Sequence, residues 1–326
     1  MKNVLRVTGL VVAASLLGVP AQAEKLQLKF GHVGKPGSLF QMSVDEFVKR
    51  ANAKLGDKAE VVAFGSSQLG KDKELLQKLK LGQVHFSLPS SVMSSVADEF
   101  GVFEMPYIIK DRDHMKRVEG KIFDSVLQPA VKKKGYRILA IWENGFRHIT
   151  NNLRPINKPE DLQGVKLRTP KGAWRVKMFQ SYGANPTPMA FSEVFTALKT
   201  GVIDGQENPY AQIWSAKFQE VQKYLSITGH VYTPAYVLVS DPNFAKLPAD
   251  VQQTLEETAQ ETQVYVYQLA AQLEKDLLTK LTDGGMTVNT ADNAAFIAAS
   301  KGIYDEFSSS VQGGGDLINT VQDLTN

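Results

Sequence analysis

Cysteine is absent from the 326-residue sequence, so disulfides, a thiol nucleophile and cysteine-bound metals are excluded. The five histidines offer no metal-binding pattern, because no two stand four residues apart and no H-E-x-x-H occurs. A G-x-S-x-G nucleophile motif is also missing. Asp204 and Glu207 form an acidic pair, but two carboxylates three residues apart are typical of a charged surface. The sequence therefore predicts neither an enzyme nor a cofactor or metal site.

Long apolar runs are missing beyond the N-terminus, where no segment reaches the roughly 18 uninterrupted apolar residues of a membrane helix. At the start, two basic residues precede the apolar run Val7–Val19, and Ala21-Gln22-Ala23 forms a small-x-small cleavage site. We expect residues 1–23 to be a signal peptide that is cleaved after Ala23, leaving a mature chain in the periplasm. An uncleaved N-terminal anchor is the alternative.

A strong charge imbalance is absent as well. Lys and Arg number 37 against 34 Asp and Glu, and loss of two basic residues with the signal peptide leaves 35 against 34. Such a balance does not indicate a nucleic-acid-binding surface. We expect a monomer with no nucleic-acid partner.

A partial phosphate-binding motif lies between a strand-like run, AEVVAF, and a helix-like run. It reads Gly65-x-x-x-x-Gly70-Lys71, the P-loop spacing up to its last position. That position requires Ser or Thr to bind Mg²⁺, whereas the sequence has Asp72, whose negative charge would repel phosphate. We therefore expect no nucleotide partner, and we interpret the segment as a turn that enters a helix.

Strand-like and helix-like segments alternate along the chain, which predicts an α/β fold. Roughly 300 residues follow the signal peptide, enough to suggest two domains. The expected helices cover residues 39–55, 72–81 and 191–200. The expected strands are residues 25–33, 59–64, 84–88, 135–142, 164–170 and 230–240.

The longest helical pattern runs from Ala249 to Asp283 without proline or glycine, and its apolar residues recur at intervals of three and four. Such a helix would be about 50 Å long. A helix that lies across two domains explains this length better than a coiled coil, which needs stricter heptads. The later stretch SSSVQGGG, residues 308–315, has the composition of a flexible connection.

Several motifs together resemble the periplasmic solute receptors of TRAP transporters, the DctP family. They are SSQLGKDKE, GVFEMPYI, NGFRHITNN, GVKLRTP and, most specifically, PTPMAFSEVFTALKTGVIDGQENP at Pro186 to Pro209. The resemblance implies two α/β domains around a cleft, as in a Venus flytrap, with a long helix shared by both. It assigns residues 24–144 and about 233–270 to the first domain. Residues 145–232 and about 271–326 then form the second.

Arg168 ends the strand in VKLRTP, and ligands of open α/β sheets bind beyond the carboxyl ends of strands. Its planar guanidinium suits a carboxylate. The resemblance implies that Arg168 clamps the ligand carboxylate, helped by Arg147, Asn208 and Phe191. From the residues alone, Arg168 could instead be a surface arginine and Arg147 part of an interdomain ion pair. Asn208 could be a turn residue before Pro209, and Phe191 could belong to the core.

Weaker candidates follow the strands of the first domain or supply aromatic rings. His32, Ser90 and Ser91 face the predicted cleft, and several relatives place an acidic residue near Ser90, so sialic acid is not favoured here. Trp174 and Tyr210 are expected either to pack on a sugar face or to belong to the core.

The resemblance implies a receptor that closes on an organic anion and delivers it to a membrane permease driven by an ion gradient. We expect a hydroxylated monocarboxylate, such as a uronate or another sugar acid. A C4-dicarboxylate, with Arg147 and Arg168 dividing its two charges, is the alternative. A periplasmic enzyme on the same scaffold and a partner of a membrane sensor kinase are more distant alternatives.

Overall fold

The computed structural model describes residues 25–325. The predicted signal peptide and its cleavage after Ala23 lie outside these residues. Within them, no helix has the length and apolarity that crossing a bilayer requires.

The described chain contains eleven strands and twelve α-helices, together with short 3₁₀ and π-helical segments. The strands are β1 (Leu26–Gly31), β2 (Ala59–Phe64), β3 (Phe86–Ser87), β4 (Tyr136–Phe146), β5 (His148–Asn151), β6 (Lys166–Thr169), β7 (Asn185–Pro188), β8 (Gly205–Asn208), β9 (Tyr224–Ile227), β10 (Tyr232–Ser240) and β11 (Thr287–Thr290). The helices are α1 (Leu39–Leu55), α2 (Asp72–Lys80), α3 (Arg112–Ile122), α4 (Gln128–Lys132), α5 (Ala173–Ser181), α6 (Val194–Lys199), α7 (Tyr210–Ser215), α8 (Asp241–Phe244), α9 (Ala249–Asp283), α10 (Asn293–Ala299), α11 (Lys301–Ser310) and α12 (Gly314–Asp323).

The strands form two sheets, and each sheet is the centre of one structural unit. The first unit has a five-stranded sheet in the order β2-β1-β3-β10-β4, and the second unit has a six-stranded sheet in the order β11-β9-β5-β8-β6-β7. Parallel pairs such as β1 with β2 and β6 with β8 confirm the predicted α/β class. In the first unit the rings of Phe30 and Phe86 stack with centroids 5.5 Å apart, which packs the neighbouring strands β1 and β3 against each other.

Two strand connections carry the chain between the units. β4 leads directly into β5, and β9 leads back into β10. At this crossing the backbone amide of Arg147 donates to the carbonyl of Val231 at 2.9 Å. Arg147 therefore lies where both crossing segments meet, between the two sheets.

Helix α9 has the bounds that its sequence pattern predicts, Ala249–Asp283. It packs against α1 and β4 of the first unit and against α7 of the second. The indole of Trp142 on β4 donates to the carbonyl of Ala259 at 2.9 Å, which fixes the helix to the first sheet. The expectation of one helix shared by both units is confirmed.

The stretch at residues 308–315 is not the flexible connection that its composition suggests. Ser308 to Ser310 end α11 and Gly314 begins α12, with only a tight turn between them. Gly313 has φ of 71°, a left-handed conformation that glycine adopts without strain. Buried Phe307 and Leu317 on the two helices supply the packing energy that composition alone does not reveal.

The last helix, α12, reaches the first half of the chain. His114 Nε2 lies 2.7 Å from the carbonyl of Val321, and Arg117 donates to the carbonyl of Leu324 at 2.7 Å. These contacts tie α12 to α3, whereas the sequence assigned residues 271–326 as a whole to the second domain. The exact domain boundaries stay a prediction.

Candidate ligand-binding cleft

A cleft of about 760 Å³, including the part that opens to solvent, lies between the two units. From the first unit it is lined by Val33, Phe40, Lys71, Asp72, Ser90 and Ser91. From the second it is lined by Arg168, Lys171, Met189, Phe191, Asn208 and Gln212. Asn144 and Arg147 line it at the crossing between the units. Cationic, acidic, neutral polar and apolar side chains thus face a single cleft.

Arg168 stands near the carboxyl end of β6 and is 4% exposed. Its Nε and Nη2 donate to the carbonyl of Met189 at 3.0 and 2.7 Å. Among residues 25–325, no carboxylate lies within ion-pair distance of this guanidinium. Burial lowers the pKa of Arg168 to about 10, so the side chain remains a cation at neutral pH. The cleft therefore holds a buried positive charge without an ion-pair partner in the described chain.

Arg147 is paired. Its Nε donates to Glu207 Oε2 at 2.5 Å and its Nη2 donates to Glu207 Oε1 at 2.9 Å. The same Nη2 donates to Asn208 Oδ1 at 3.1 Å. A buried carboxylate therefore neutralises the second arginine of the cleft.

Glu207 belongs to a buried ionic cluster beside the cleft. Arg175 lies 2.7 Å from Glu207 and 2.8 Å from Glu104, and His230 Nε2 lies 3.1 Å from Glu207. Burial opposes the ionisation of Glu207, but the two guanidiniums outweigh it and hold the pKa of that carboxyl well below its usual range. Burial lowers the pKa of His230 to about 4, so this ring is neutral at pH 7. Two arginines and two glutamates leave the cluster formally uncharged.

The surface role suggested for the acidic pair is wrong for Glu207, which is fully buried. It lies on β8, where it is paired with Ile149 of the neighbouring strand β5. Burial of a carboxylate is costly unless cations compensate for it. Nothing in the local sequence shows that Arg147 and Arg175 converge there from other parts of the chain.

Six of the nine predicted site residues line the cleft: Arg168, Arg147, Asn208, Phe191, Ser90 and Ser91. The amide of Asn208 accepts from Arg147 and donates to Gln206 Oε1 at 2.6 Å. Phe191 packs edge-on against Phe218 with ring centroids 5.8 Å apart. The structure brings together the residues that the sequence placed far apart.

The other three lie outside the cleft lining. His32 is 1% exposed, and its Nδ1 accepts from the backbone amide of Gly34 at 3.1 Å. Trp174 packs against Phe307 with ring centroids 5.1 Å apart. Tyr210 stacks on His148 at 4.2 Å. Each ring packs in the core or takes part in a turn, and none of the three lines the cleft in this structure. A ligand contact by any of them stays a prediction.

Several cleft residues were missed in the sequence, notably Asp72, Asn144 and Gln212. Asp72 appeared only as the residue that breaks the P-loop motif. In the structure it begins α2 and lines the cleft, and burial raises its pKa to about 6 against the attraction of Arg168. The motif thus contained a signal for a site residue, although not for a nucleotide site.

The segment from Gly65 to Gly70 is a turn in which four of the six backbone amides already donate hydrogen bonds within the protein. Ser66 and Ser67 donate to the carbonyls of Gly34 and His32 at 2.8 and 3.1 Å, and Gln68 and Gly70 donate within the turn. A P-loop binds phosphate through backbone amides that are free to donate to it, whereas these amides already have partners. Within residues 25–325 there is also no group of three or more acidic or histidine side chains that could hold a metal.

The whole chain can be compared with known proteins. Residues 30–310 match the family described as bacterial extracellular solute-binding protein, family 7, named DctP. The chain belongs to this family. Its members are solute-binding proteins rather than enzymes, and the chain is a periplasmic solute receptor of the TRAP type.

Individual relatives support the assignment over most of their length. The 2,3-diketo-L-gulonate-binding periplasmic protein YiaO of Escherichia coli is 32% identical over 301 residues, which cover 91% of this chain and 92% of that protein. A TRAP periplasmic solute-binding protein from Sulfurospirillum deleyianum with bound succinate is 34% identical with a TM-score of 0.88, covering 92% of this chain and 99% of that chain. The sugar acid binding protein of Advenella mimigardefordensis in complex with galactonate is 30% identical with a TM-score of 0.88, covering 92% and 98%.

Proposed function

We propose that this DctP-family receptor binds a hydroxylated monocarboxylate, a sugar acid of the uronate or aldonate kind, and that Arg168 clamps its carboxylate. The observation that carries the proposal is the buried guanidinium of Arg168, which lines the cleft and, among residues 25–325, has only a backbone carbonyl as hydrogen-bond partner. A buried cation without a counter-charge is costly. A ligand carboxylate supplies that charge through charge-assisted hydrogen bonds.

The charge balance favours one carboxylate over two. Arg147 pairs with Glu207, and Lys71 pairs with Glu193 at 2.6 Å, so each of these cations already faces a carboxylate. Lys73 and Lys171 also line the cleft, but both are exposed rather than buried. Asp72 adds a further acidic group close to Arg168. A C4-dicarboxylate such as the succinate of the Sulfurospirillum relative would need a second free cation deep in the cleft. The runner-up is therefore less well supported than the sugar acid.

The remaining lining suits a hydroxylated chain. Ser90, Ser91, Asn144 and Gln212 present neutral donors and acceptors, while Phe40 and Phe191 cover apolar faces. Such a mixture fits the alternating C–H and O–H groups of a sugar acid. In the transport cycle we propose, the loaded receptor hands its anion to the membrane permease of a TRAP system, in which an ion gradient drives uptake.

The test is a screen of organic acids by thermal shift, followed by calorimetry on wild type and Arg168→Ala. A ligand that binds only the folded state raises the melting temperature. We expect sugar acids to give the largest shifts, and Arg168→Ala to weaken binding by roughly 100-fold or more, because it leaves a ligand carboxylate without its bidentate partner. Arg154→Ala, at an exposed loop arginine outside the cleft, is the matched control.

Two outcomes contradict the proposal in different ways. Unchanged ligand affinity in Arg168→Ala would show that Arg168 does not clamp the carboxylate. Tighter binding of succinate or malate than of any sugar acid replaces the substrate class by the C4-dicarboxylates.

A further inference from the structure

A directed chain of hydrogen bonds runs from the crossing segment into the cleft. Ser90 Oγ donates to the carbonyl of Pro234 at 2.6 Å, Asn144 Nδ2 donates to Ser90 Oγ at 3.2 Å, and Gln212 Nε2 donates to Asn144 Oδ1 at 3.2 Å. Ser90, Asn144 and Gln212 all line the cleft. The chain connects the first unit, the crossing strand β4 and helix α7 of the second unit.

The backbone carbonyl at one end fixes the direction of every bond in this chain. The Pro234 carbonyl only accepts, so the single hydroxyl proton of Ser90 is used there. Ser90 Oγ can then only accept, which turns the NH₂ group of Asn144 towards it. The amide oxygen of Asn144 consequently faces Gln212, and Gln212 must present its NH₂ group in return. Neither amide can be reversed without placing two acceptors or two donors face to face.

This polarity leaves an acceptor at the end of the chain. Gln212 Oε1 is buried and has no hydrogen-bond partner within the described residues, and the side chain as a whole is 4% exposed. Ser91 Oγ, on a residue 8% exposed, is also buried and has no hydrogen-bond partner among residues 25–325. Buried polar atoms are normally paired, because an unpaired one loses its hydration without compensation. Two unpaired atoms on cleft-lining residues indicate a partner that arrives with the ligand.

We infer that Gln212 and Ser91 form a hydroxyl-reading subsite, in which Gln212 Oε1 accepts from a ligand O–H and Ser91 pairs with the same or a neighbouring hydroxyl. The inference rests on the proposed function and deepens it. Arg168 binds the carboxylate common to all organic acids, whereas this subsite selects acids with a hydroxylated chain. An acid without hydroxyls buries Gln212 Oε1 against C–H groups and is rejected, since sites built to pair a hydroxyl discriminate strongly against its absence.

The test compares D-galactonate with hexanoate, two six-carbon monocarboxylates that differ in hydroxylation. Dissociation constants are measured for wild type, Gln212→Leu, Ser91→Ala and the control Gln180→Leu, at an exposed glutamine of α5. We expect wild type and the control to prefer galactonate by at least about 100-fold. Gln212→Leu should reduce that preference about tenfold or more, chiefly through weaker galactonate binding, with hexanoate bound as well as before or better. Ser91→Ala should also reduce the preference for galactonate, by a smaller factor. If Gln212→Leu does not fold, Ser91→Ala still tests the subsite.

The outcomes separate the two proposals. If wild type binds galactonate and Arg168→Ala abolishes binding, but both subsite variants keep the full preference over hexanoate, the subsite is overturned and the clamp stands. Equal affinity of wild type for the two acids also overturns the subsite. If wild type binds neither acid, the sugar-acid function itself fails and the subsite fails with it.

Discussion

Arg147 and Glu207 form a buried two-point ion pair beside the cleft, with Nε to Oε2 at 2.5 Å and Nη2 to Oε1 at 2.9 Å. Glu207 also holds Arg175, so one carboxylate orders two guanidiniums. The pair decides how the cleft works electrostatically. It neutralises Arg147 and leaves Arg168 as the buried cation that can receive a ligand carboxylate.

The first prediction concerns the stability that Glu207 provides. Glu207→Gln removes a charge and leaves the buried Arg147 and Arg175 with Glu104 as the one carboxylate paired to them within the described residues. Breaking a buried pair in this way costs about 3–5 kcal/mol. The free energy of unfolding, measured by urea titration at pH 7, should fall by an amount of this order.

The pH dependence of the stability difference between wild type and Glu207→Gln is a second test of the same ion pair. The pKa of Glu207 in the folded protein lies well below the usual 4.5. The contribution of this carboxylate to the stability of the fold is therefore complete above about pH 4.5 and is lost as the pH falls towards the folded-state pKa. The gap in stability between wild type and Glu207→Gln should therefore shrink under acidic conditions. Glu306→Gln is the control, since its pair with Lys177 is about 40% exposed and such pairs contribute about 0–1 kcal/mol. Equal losses in the two variants at pH 7 would contradict the prediction.

The difference between Arg168 and Glu207 shows how far the sequence can predict this site. The position of Arg168 in the cleft can be predicted because it depends on local information: a strand end, Pro170 two residues later and a family motif. Its contact with a ligand stays a prediction. The bounds of α9 were found for the same reason, since a long period without proline or glycine is local too. The role of Glu207 depends on Arg147, Arg175 and His230, which come from β-strand crossings and another helix, so only the folded chain reveals it.

Aromatic residues were the least predictable part of the site. Trp174 and Tyr210 stand beside motif residues in the sequence, but their rings turn to Phe307 and His148. A large ring beside a cleft can pack on either side of its own backbone, and the available core volume decides which. Gln212, only two residues from Tyr210, turns towards the cleft instead.

The second prediction concerns Asp72, whose pKa burial raises from 3.8 to about 6. A folded-state pKa above the unfolded value means that the folded protein binds more protons between these pH values. Stability from this group is therefore complete below about pH 4 and is lost as the pH rises through 6. Because Asp72 is half-buried, solvent screens part of this effect, and Asp72→Asn should increase the free energy of unfolding of the ligand-free protein at pH 7.5 by about 1–2 kcal/mol. At pH 4 the gain should vanish.

Denaturant titrations at both pH values check this, with Asp57→Asn at an exposed turn as the control. No gain at pH 7.5 would show that water or Arg168 already compensates for the charge. A clear gain would identify Asp72 as a residue that the cleft keeps at a cost in stability.

The third prediction concerns Gly205, which begins β8 and therefore sets the positions of Glu207 and Asn208. A Cβ atom at this glycine would lie 2.3 Å from the carbonyl oxygen of Thr150 on the neighbouring β5. The strand must shift to avoid that contact, because the obstacle is backbone. Gly205→Ala should lower the free energy of unfolding by about 1–3 kcal/mol and weaken sugar-acid binding as well. Gly120→Ala is the control, because that glycine of α3 has open space around it and alanine favours helix. If Gly205→Ala had the same stability and sugar-acid affinity as Gly120→Ala, the close approach of β8 to β5 would not constrain the site.

The fourth prediction concerns the mouth of the cleft, where Lys71 of the first unit meets Glu193 of the second at 2.6 Å. The two side chains are 41% and 46% exposed, so the bridge is weak and sensitive to salt. It can form only when the two units are close together, so we expect it to slow ligand release from the closed receptor. In stopped-flow displacement of bound galactonate, Lys71→Met and Glu193→Gln should each release ligand a few-fold faster than wild type in low salt, and the double variant no faster than either.

Salt distinguishes an effect of the Lys71–Glu193 ion pair on ligand release from an effect of the substitutions on the cleft itself. The difference in release rate between wild type and the Lys71 and Glu193 variants should disappear at about 1 M salt, where the Debye length is about 3 Å. Lys177→Met removes a bridge of similar exposure that joins α5 and α11 without crossing the cleft, and it should leave the release rate unchanged. Additive effects of the two cleft variants, or a difference that survives in high salt, would mean that Lys71 or Glu193 acts on the ligand directly. Loss of the difference in salt, together with a non-additive double variant, would make this exposed ion pair a determinant of how long the receptor holds its anion.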